Sequence, residues 1–254
     1  NYTDGWGEYE WRLKMPLELY KRDYHKPLWN GQDVDGKHIM IIAEHSVGET
    51  MQYLRFAKQL AVEGAQITIM AQDPIVEFLK TQSWVSNVIP YDGTIPEIDY
   101  YCFMISLAKI LEWNPDMDTQ QFPYIKVTYK KLKRDNEKIR VGLVTTAPKE
   151  LSNYKQIILP DGSLDNCFPS NRFEVMDLPS IQDFDELIQM IDSCDLIISI
   201  EGIVPHIAGS LNKKTWLLLP SVPKHTWDLN FKTSSPWYPS LEIFRQKIAG
   251  DWTH

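Results

Sequence analysis

No apolar run in this 254-residue chain approaches the roughly 20 residues that a membrane-crossing helix requires, so no such helix is expected. No basic segment followed by an apolar core opens the chain, so nothing points to secretion. Cysteine is scarce: Cys102, Cys167 and Cys194 stand far apart. Cys102 and Cys194 lie in apolar surroundings and read as buried thiols, no spacing suits zinc, and a reducing cytoplasm is the expected compartment. Positive charge is in deficit, with 26 Lys and Arg against 34 Asp and Glu and a net charge of -8. A nucleic-acid partner needs a basic face, and the one short basic run, Lys130 to Lys138, is interrupted by Asp135 and Glu137 and reads as a solvated helix end or linker. A G-x-G-x-x-G dinucleotide fingerprint is missing too, which counts against a nucleotide-dependent epimerase.

What is present is the alternation of a parallel α/β protein. His38 to Ala43 is a continuous apolar strand; Met51, Leu54, Ala57 and Ala61 then recur with helical period, Gly64 closes that helix, and Gln66 to Ala71 is the next strand. Pro74 opens a further helix, and Val85 to Ile89 and Asp99 to Ile105 are strand candidates. A second set starts at Arg140, with strands at Val141 to Thr145, Gln156 to Leu159 and Phe173 to Leu178 and a helix over Ile181 to Ser193. Leu241 to Ile248 reads as a last short helix. Before all this, Tyr2, Trp6, Tyr9 and Leu13 share one helical face until Pro16 interrupts it. The expected organisation is a helical segment over 1–27, an α/β domain over 28–138, a second over 139–239, and a helix and tail over 240–254. Two facing Rossmann-like domains with parallel sheets are the natural architecture.

The richest stretch is Asp195 to Leu219, which reads as strand, tight turn, helix and strand. It puts Glu201, Gly202 and His206 at the carboxyl end of a strand, beside the exposed N–H groups of a helix that starts near Pro205. Anionic ligands bind at such places because those N–H groups and the helix dipole favour negative charge. Gly202 lets a backbone approach a diphosphate or simply makes a sharp turn. His206 either bonds a phosphate or sugar, or ties its helix to the next loop; Glu201 either holds sugar hydroxyls or caps the turn. In the first half, Glu49 is either a general base or a carboxylate stabilising a helix start, and His45 is a second base candidate. Thr145 and Thr146 end a strand where a phosphate could lie. Lys224 and Trp227 sit in a long Pro- and Trp-rich loop, with Trp227 either stacking on a ligand ring or packing the loop. Arg55 either faces the cleft or, the favoured reading, makes a surface salt bridge.

These pieces together carry a resemblance. GWGEYEWR (Gly5 to Arg12), the stretch from Pro27 to Ile67, EGIVPHIAGSLNKKTWLLLP (Glu201 to Pro220), SPWYPSLEIFRQ (Ser235 to Gln246) and GDW (Gly250 to Trp252) stand in the order found in bacterial tetratricopeptide-repeat glycosyltransferases. That group is similar to ADP-heptose heptosyltransferases and O-linked N-acetylglucosamine transferases. The resemblance implies a GT-B fold whose first domain shapes the acceptor site and whose second binds a nucleotide-sugar. It implies metal-independent transfer of the sugar to a protein or glycan acceptor, with no cofactor besides the nucleotide-sugar substrate, and a helical-repeat region upstream of residue 1.

The chain departs from that pattern at instructive positions. Relatives commonly read Glu-Gln-Gly-Leu-Gly-Asp where this chain has Glu44, His45, Ser46, Val47, Gly48 and Glu49, so the relatives' candidate base Asp is Glu49 here. Their Asp-Thr-x-x-x-His becomes Glu201, Gly202 and His206, and a Trp-Ser/Ala-Gly stretch becomes Thr145-Thr146-Ala147. The relatives' Asn-Asp and Arg-Ser elements have only Asn153 and Lys155 as stand-ins. A glycosyltransferase with an altered donor and a catalytically degenerate binding module are both compatible with these changes.

Overall fold

The computed structural model describes residues 2–117, 122–129, 132, 134, 137–146, 157–160, 162–164, 166–178, 183–227 and 233–253. The chain divides into two compact units, Asn1–Gln121 and Phe122–His254.

In the first unit, β1 (His38–Ile42), β2 (Gln66–Ala71), β3 (Asn87–Pro90) and β4 (Tyr100–Phe103) form one parallel sheet in the order β3-β2-β1-β4. The inner strand β1 is an unbroken apolar run because it is covered on both faces, and Ile39, Met40, Ile41 and Ile42 are fully buried. The N-terminal segment supplies α1 (Tyr2–Tyr9), a 3-10 turn at Glu10–Lys14 and α2 (Glu18–Lys21), with Pro16 between them as expected. It is part of this unit's core. Tyr24 packs with Met40, Ile42, Met70 and Phe103, and Trp6 donates its indole N–H to the Trp113 carbonyl at 2.9 Å. Helix α3 (Val47–Val62) connects β1 to β2, and α4 (Asp73–Lys80) and α5 (Ser106–Ile110) complete the unit. Gly64 ends α3 at φ +102°, and a Cβ there would run into Asp35, so both its conformation and its closeness to that turn require glycine.

In the second unit, β5 (Ile139–Val144), β6 (Phe173–Asp177), β7 (Leu196–Ile200), β8 (Thr215–Leu219) and β9 (Leu241–Arg245) form a parallel sheet in the order β6-β5-β7-β8-β9. Helix α6 (Phe184–Ser193) is capped by Asp183, whose carboxylate accepts from the Glu186 amide at 3.0 Å, and α7 (Ile203–Ser210) follows β7. Residues 181 and 182 of the expected helix lie outside the described residues, as does Gln156. The described remainder of that candidate strand, 157–159, pairs in neither sheet.

One expectation is corrected here. Leu241 to Ile248, read as a helix, begins with a strand: Leu241 and Ile243 are buried, while Glu242 and Phe244 point outward. That period of two suits the sheet edge beside β8, where Phe244 meets Trp216 edge-on at 5.7 Å.

Helix α7 packs unusually close to its neighbour. The backbone of Gly209 lies flush against the Tyr238 ring, and a Cβ there would overlap it. Tyr238 is itself buried and cannot swing aside. Gly209→Ala is therefore expected to cost about 1–3 kcal/mol, the usual penalty of overpacking, read as a lower urea midpoint with an unchanged m-value.

Candidate functional site

In a parallel sheet, a ligand crevice opens outside the carboxyl ends of the strands, at the point where the strand order reverses. In the first sheet that point lies between β1 and β4, and in the second between β5 and β7. The candidate residues gather at these two places.

After β1 comes Glu44, whose side chain is fully buried. A buried carboxylate must find partners, and this one has four donors. Arg12 reaches it through Nε at 2.9 Å and through a terminal nitrogen at 3.3 Å; the Tyr20 hydroxyl donates at 2.8 Å; the Ile105 amide, just past β4, donates at 2.8 Å. Arg12 also donates to Glu10 at 2.5 Å and to the Ser106 hydroxyl at 2.7 Å, and Ser106 in turn donates to Glu10. Burial opposes the guanidinium's charge, but Glu44 and then Glu10 outweigh it and hold Arg12 firmly protonated. Burial, and after it the Glu44 carboxylate, push the Tyr20 phenol well above its ordinary range.

His45 follows with φ +47°, in the left-handed region. Its Nε2 lies 3.3 Å from the Tyr20 oxygen and its Nδ1 3.6 Å from Glu49 Oε1. Ser46 caps α3 in a capping box. Its hydroxyl accepts from the Glu49 amide at 3.3 Å, while Glu49 Oε2 accepts from the Ser46 amide at 3.1 Å and from its hydroxyl at 2.9 Å. One oxygen of Glu49 thus anchors the helix start and the other is aimed at His45. Gln72 fixes the loop from below, donating to the carbonyls of Glu44 at 3.2 Å and His45 at 3.4 Å.

In the second unit, Glu201 and Gly202 follow β7, and Thr145 and Thr146 follow β5 beside it. The Glu201 carboxylate accepts from the Lys224 amide at 2.8 Å. Burial raises its pKa, and Lys224, first through that amide and then through its charge, only partly reverses the shift. Gly202 caps α7, so the helix starts two residues before Pro205, which fits in a first turn where its missing N–H has no helical partner anyway. A Cβ built on Gly202 meets nothing within 4 Å, so the space over the helix start is open. His206 points elsewhere. Its ring stacks on Trp227 at 4.8 Å and its Nδ1 lies 3.0 Å from the Tyr238 hydroxyl. Burial, then the charge of Lys224, push it down to about 3, so it is a neutral imidazole. Trp227 is 1% exposed, with one face against that histidine.

The structure therefore brings together Glu49 with His45, and Glu201 with Gly202 and Lys224, while His206 and Trp227 pair with each other. Asn153 and Lys155 lie outside the described residues. Arg55 is corrected: it is 1% exposed, since α3 is buried almost all round through its first ten residues. Arg12, Tyr20 and Ser106 were not anticipated as members of a polar cluster. The available signal was a glutamate set directly after a fully apolar strand, which demands buried donors. A separate hollow of about 390 Å³, lined by Trp29, Gln32, Asp33 and Ile110 among others, contains none of these candidates.

Two parallel α/β sheets, each with charged and small residues at its switch point, define a fold that is shared with glycosyltransferases. The glycosyl transferase family 9 structure from Veillonella parvula superposes with a TM-score of 0.56 at 8% identity, covering 86% of this chain and 88% of that one. The Escherichia coli ADP-heptose lipopolysaccharide heptosyltransferase II superposes at 0.52 with 12% identity, covering 84% and 92%. No protein-family profile matches the sequence. Among curated proteins, Protein FlbA of Caulobacter vibrioides is 20% identical over 304 aligned residues, 98% of this chain and 50% of FlbA. The chain thus spans about half the length of the curated relative it matches. Among the described residues, no helix is long and apolar enough to cross a membrane.

Proposed function

We propose that the protein is a metal-independent glycosyltransferase that moves a sugar from a nucleotide-sugar to a protein or glycan acceptor. In this reading each unit serves one of the two substrates. The second holds the donor, with its diphosphate over the open N-terminus of α7 at Gly202 and near Lys224, and with Glu201 on sugar hydroxyls. Thr145 and Thr146 line the same crevice. The first unit presents His45 and Glu49 to the acceptor. The observation that carries the reading is the coincidence of place: the charged loops occupy the switch points of both sheets, in a fold whose solved counterparts are glycosyltransferases.

Calorimetric titration with UDP-, GDP-, ADP- and CMP-sugars tests it. At least one is expected to bind, and Gly202→Val, which fills open space and leaves the fold intact, is expected to weaken that binding about tenfold, or ~1.4 kcal/mol. A folded protein that binds none of the four classes overturns the proposal.

A second reading, a catalytically degenerate binding module, draws on two observations. One oxygen of Glu49 is committed to the helix cap, and His206 is neutral and covered by Trp227. Under that reading the acceptor-side residues are structural and their charge is dispensable.

A further inference from the structure

We infer that Tyr20, oriented by Glu44, is a positioning residue that fixes the tautomer of His45 and leaves its Nδ1 as the bare, proton-accepting nitrogen. The inference rests on the transferase reading for its purpose, but not for its test. A phenol has a single proton to give. The Tyr20 oxygen lies 2.8 Å from Glu44 Oε1 and 3.3 Å from His45 Nε2. Glu44 is a buried carboxylate, and hydrogen bonds to charged acceptors are the shorter and stronger ones, so the proton goes to Glu44. The phenol cannot give it up altogether, since burial and the same carboxylate disfavour the phenolate. Glu44 itself is held on the other sides by Arg12 and the Ile105 amide, and the Tyr20 ring is held edge-on by Phe103 at 5.1 Å, so the two oxygens keep their places, and turning the O–H toward His45 would take a donor from the buried carboxylate. What remains for His45 is a lone pair on the Tyr20 oxygen. Nε2 can meet it only as N–H, because two lone pairs facing one another repel.

The proton on Nε2 leaves Nδ1 unprotonated, 3.6 Å from Glu49 Oε1. At that separation the two do not share a hydrogen bond, so the closer Tyr20 contact decides the tautomer and Nδ1 is left to accept from a hydroxyl placed beside it. An acceptor hydroxyl bound at this point gives its proton to Nδ1 as its oxygen bonds to the anomeric carbon. The bond from that carbon to the phosphate oxygen breaks, and its electron pair leaves with the nucleoside diphosphate. The imidazolium so formed lies between the Tyr20 oxygen and the Glu49 carboxylate, both of which stabilise it. The N-terminal segment is thereby part of the working site: Arg12 fixes Glu44, Glu44 orients Tyr20, and Tyr20 sets His45.

Nitrogen-15 NMR of the histidine-labelled protein decides this without any transfer reaction, with His45→Gln assigning the signal. At a pH where His45 is neutral, Nε2 is expected to resonate as a pure N–H nitrogen and Nδ1 as a pure bare nitrogen. In Tyr20→Phe, the lock is lost and the two shifts converge toward an exchange average. A wild-type His45 that carries its proton on Nδ1, or averages between tautomers, overturns the inference on its own, even if the variant fails to fold. A folded Tyr20→Phe that keeps the wild-type pattern overturns it equally. The donor titration above is independent of both results, so failure of the tautomer lock and failure of the transferase reading are told apart.

Discussion

Glu44→Ala is expected to destabilise the first unit by about 3–5 kcal/mol, the range seen when one partner of a buried ion pair is removed. The loss is large because four donors converge on one side chain that has no contact with water. Without the carboxylate, the Arg12 guanidinium stays buried with Glu10 and Ser106 as its side-chain hydrogen-bond partners among the described residues. The Tyr20 hydroxyl and the Ile105 amide lose their acceptor at the same time, and each unsatisfied group carries its own desolvation cost. Urea unfolding followed by tryptophan fluorescence measures this, since Trp6 and Trp113 pack together in the same unit. A midpoint shift worth less than about 1 kcal/mol would show that the cluster is not strongly coupled. Pairing the change with Arg12→Met is expected to recover part of the loss, because an apolar pair leaves no buried charge alone. A double variant as unstable as the sum of the singles would contradict the ion-pair account.

Much of the fold was legible because its strands are local signals. β1, β2, β7 and β8 are apolar runs bounded by turn residues, and each joins its parallel neighbour through a helix. β9 was misread because the exposed Phe244 and Ile248, four residues apart, imitate a helical stripe. Only pairing with β8 shows that Leu241 and Ile243 are the inward set. The capping box of α3 was also readable in principle, since Ser46 and Glu49 have the required spacing.

The polar cluster was not legible because it is non-local. Arg12 meets Glu44 across 32 residues, and Ile105 meets it across 61. A sequence pattern can say that Glu44 needs donors but not where they come from. His206 illustrates the converse. Its place in the first turns of α7 suggested a ligand contact, but Tyr238, 32 residues away, and Trp227 claim its ring. Local position made the residue look functional, and tertiary packing gave it structural partners.

Glu49→Gln separates chemistry from capping at the acceptor end. Gln is accepted at the third helical position of a capping box, because its carbonyl oxygen can still take the Ser46 amide. Stability is therefore expected to change by less than about 0.5 kcal/mol. What is lost is the negative charge 3.6 Å from His45 Nδ1, the charge that would stabilise an imidazolium. With a competent donor and acceptor, kcat is expected to fall at least about tenfold in Glu49→Gln and about 10²–10⁴-fold in His45→Gln, the usual contribution of a positioned base. The donor KM should hold in both, since the proposed donor residues belong to the other unit. Ser46→Ala is the opposite control: it removes the cap, costs about 0.5–2 kcal/mol in stability, and leaves the charge in place, so its kcat should stay close to wild type. If Glu49→Gln and His45→Gln transfer sugar at the wild-type rate, the pair is only a helix start and its neighbour, and the degenerate-module reading gains what the transferase reading loses. If Ser46→Ala falls as far as His45→Gln, rigidity of the loop rather than proton transfer governs the rate. The three variants therefore assign the rate to charge, to base or to scaffold, which no one of them can do alone.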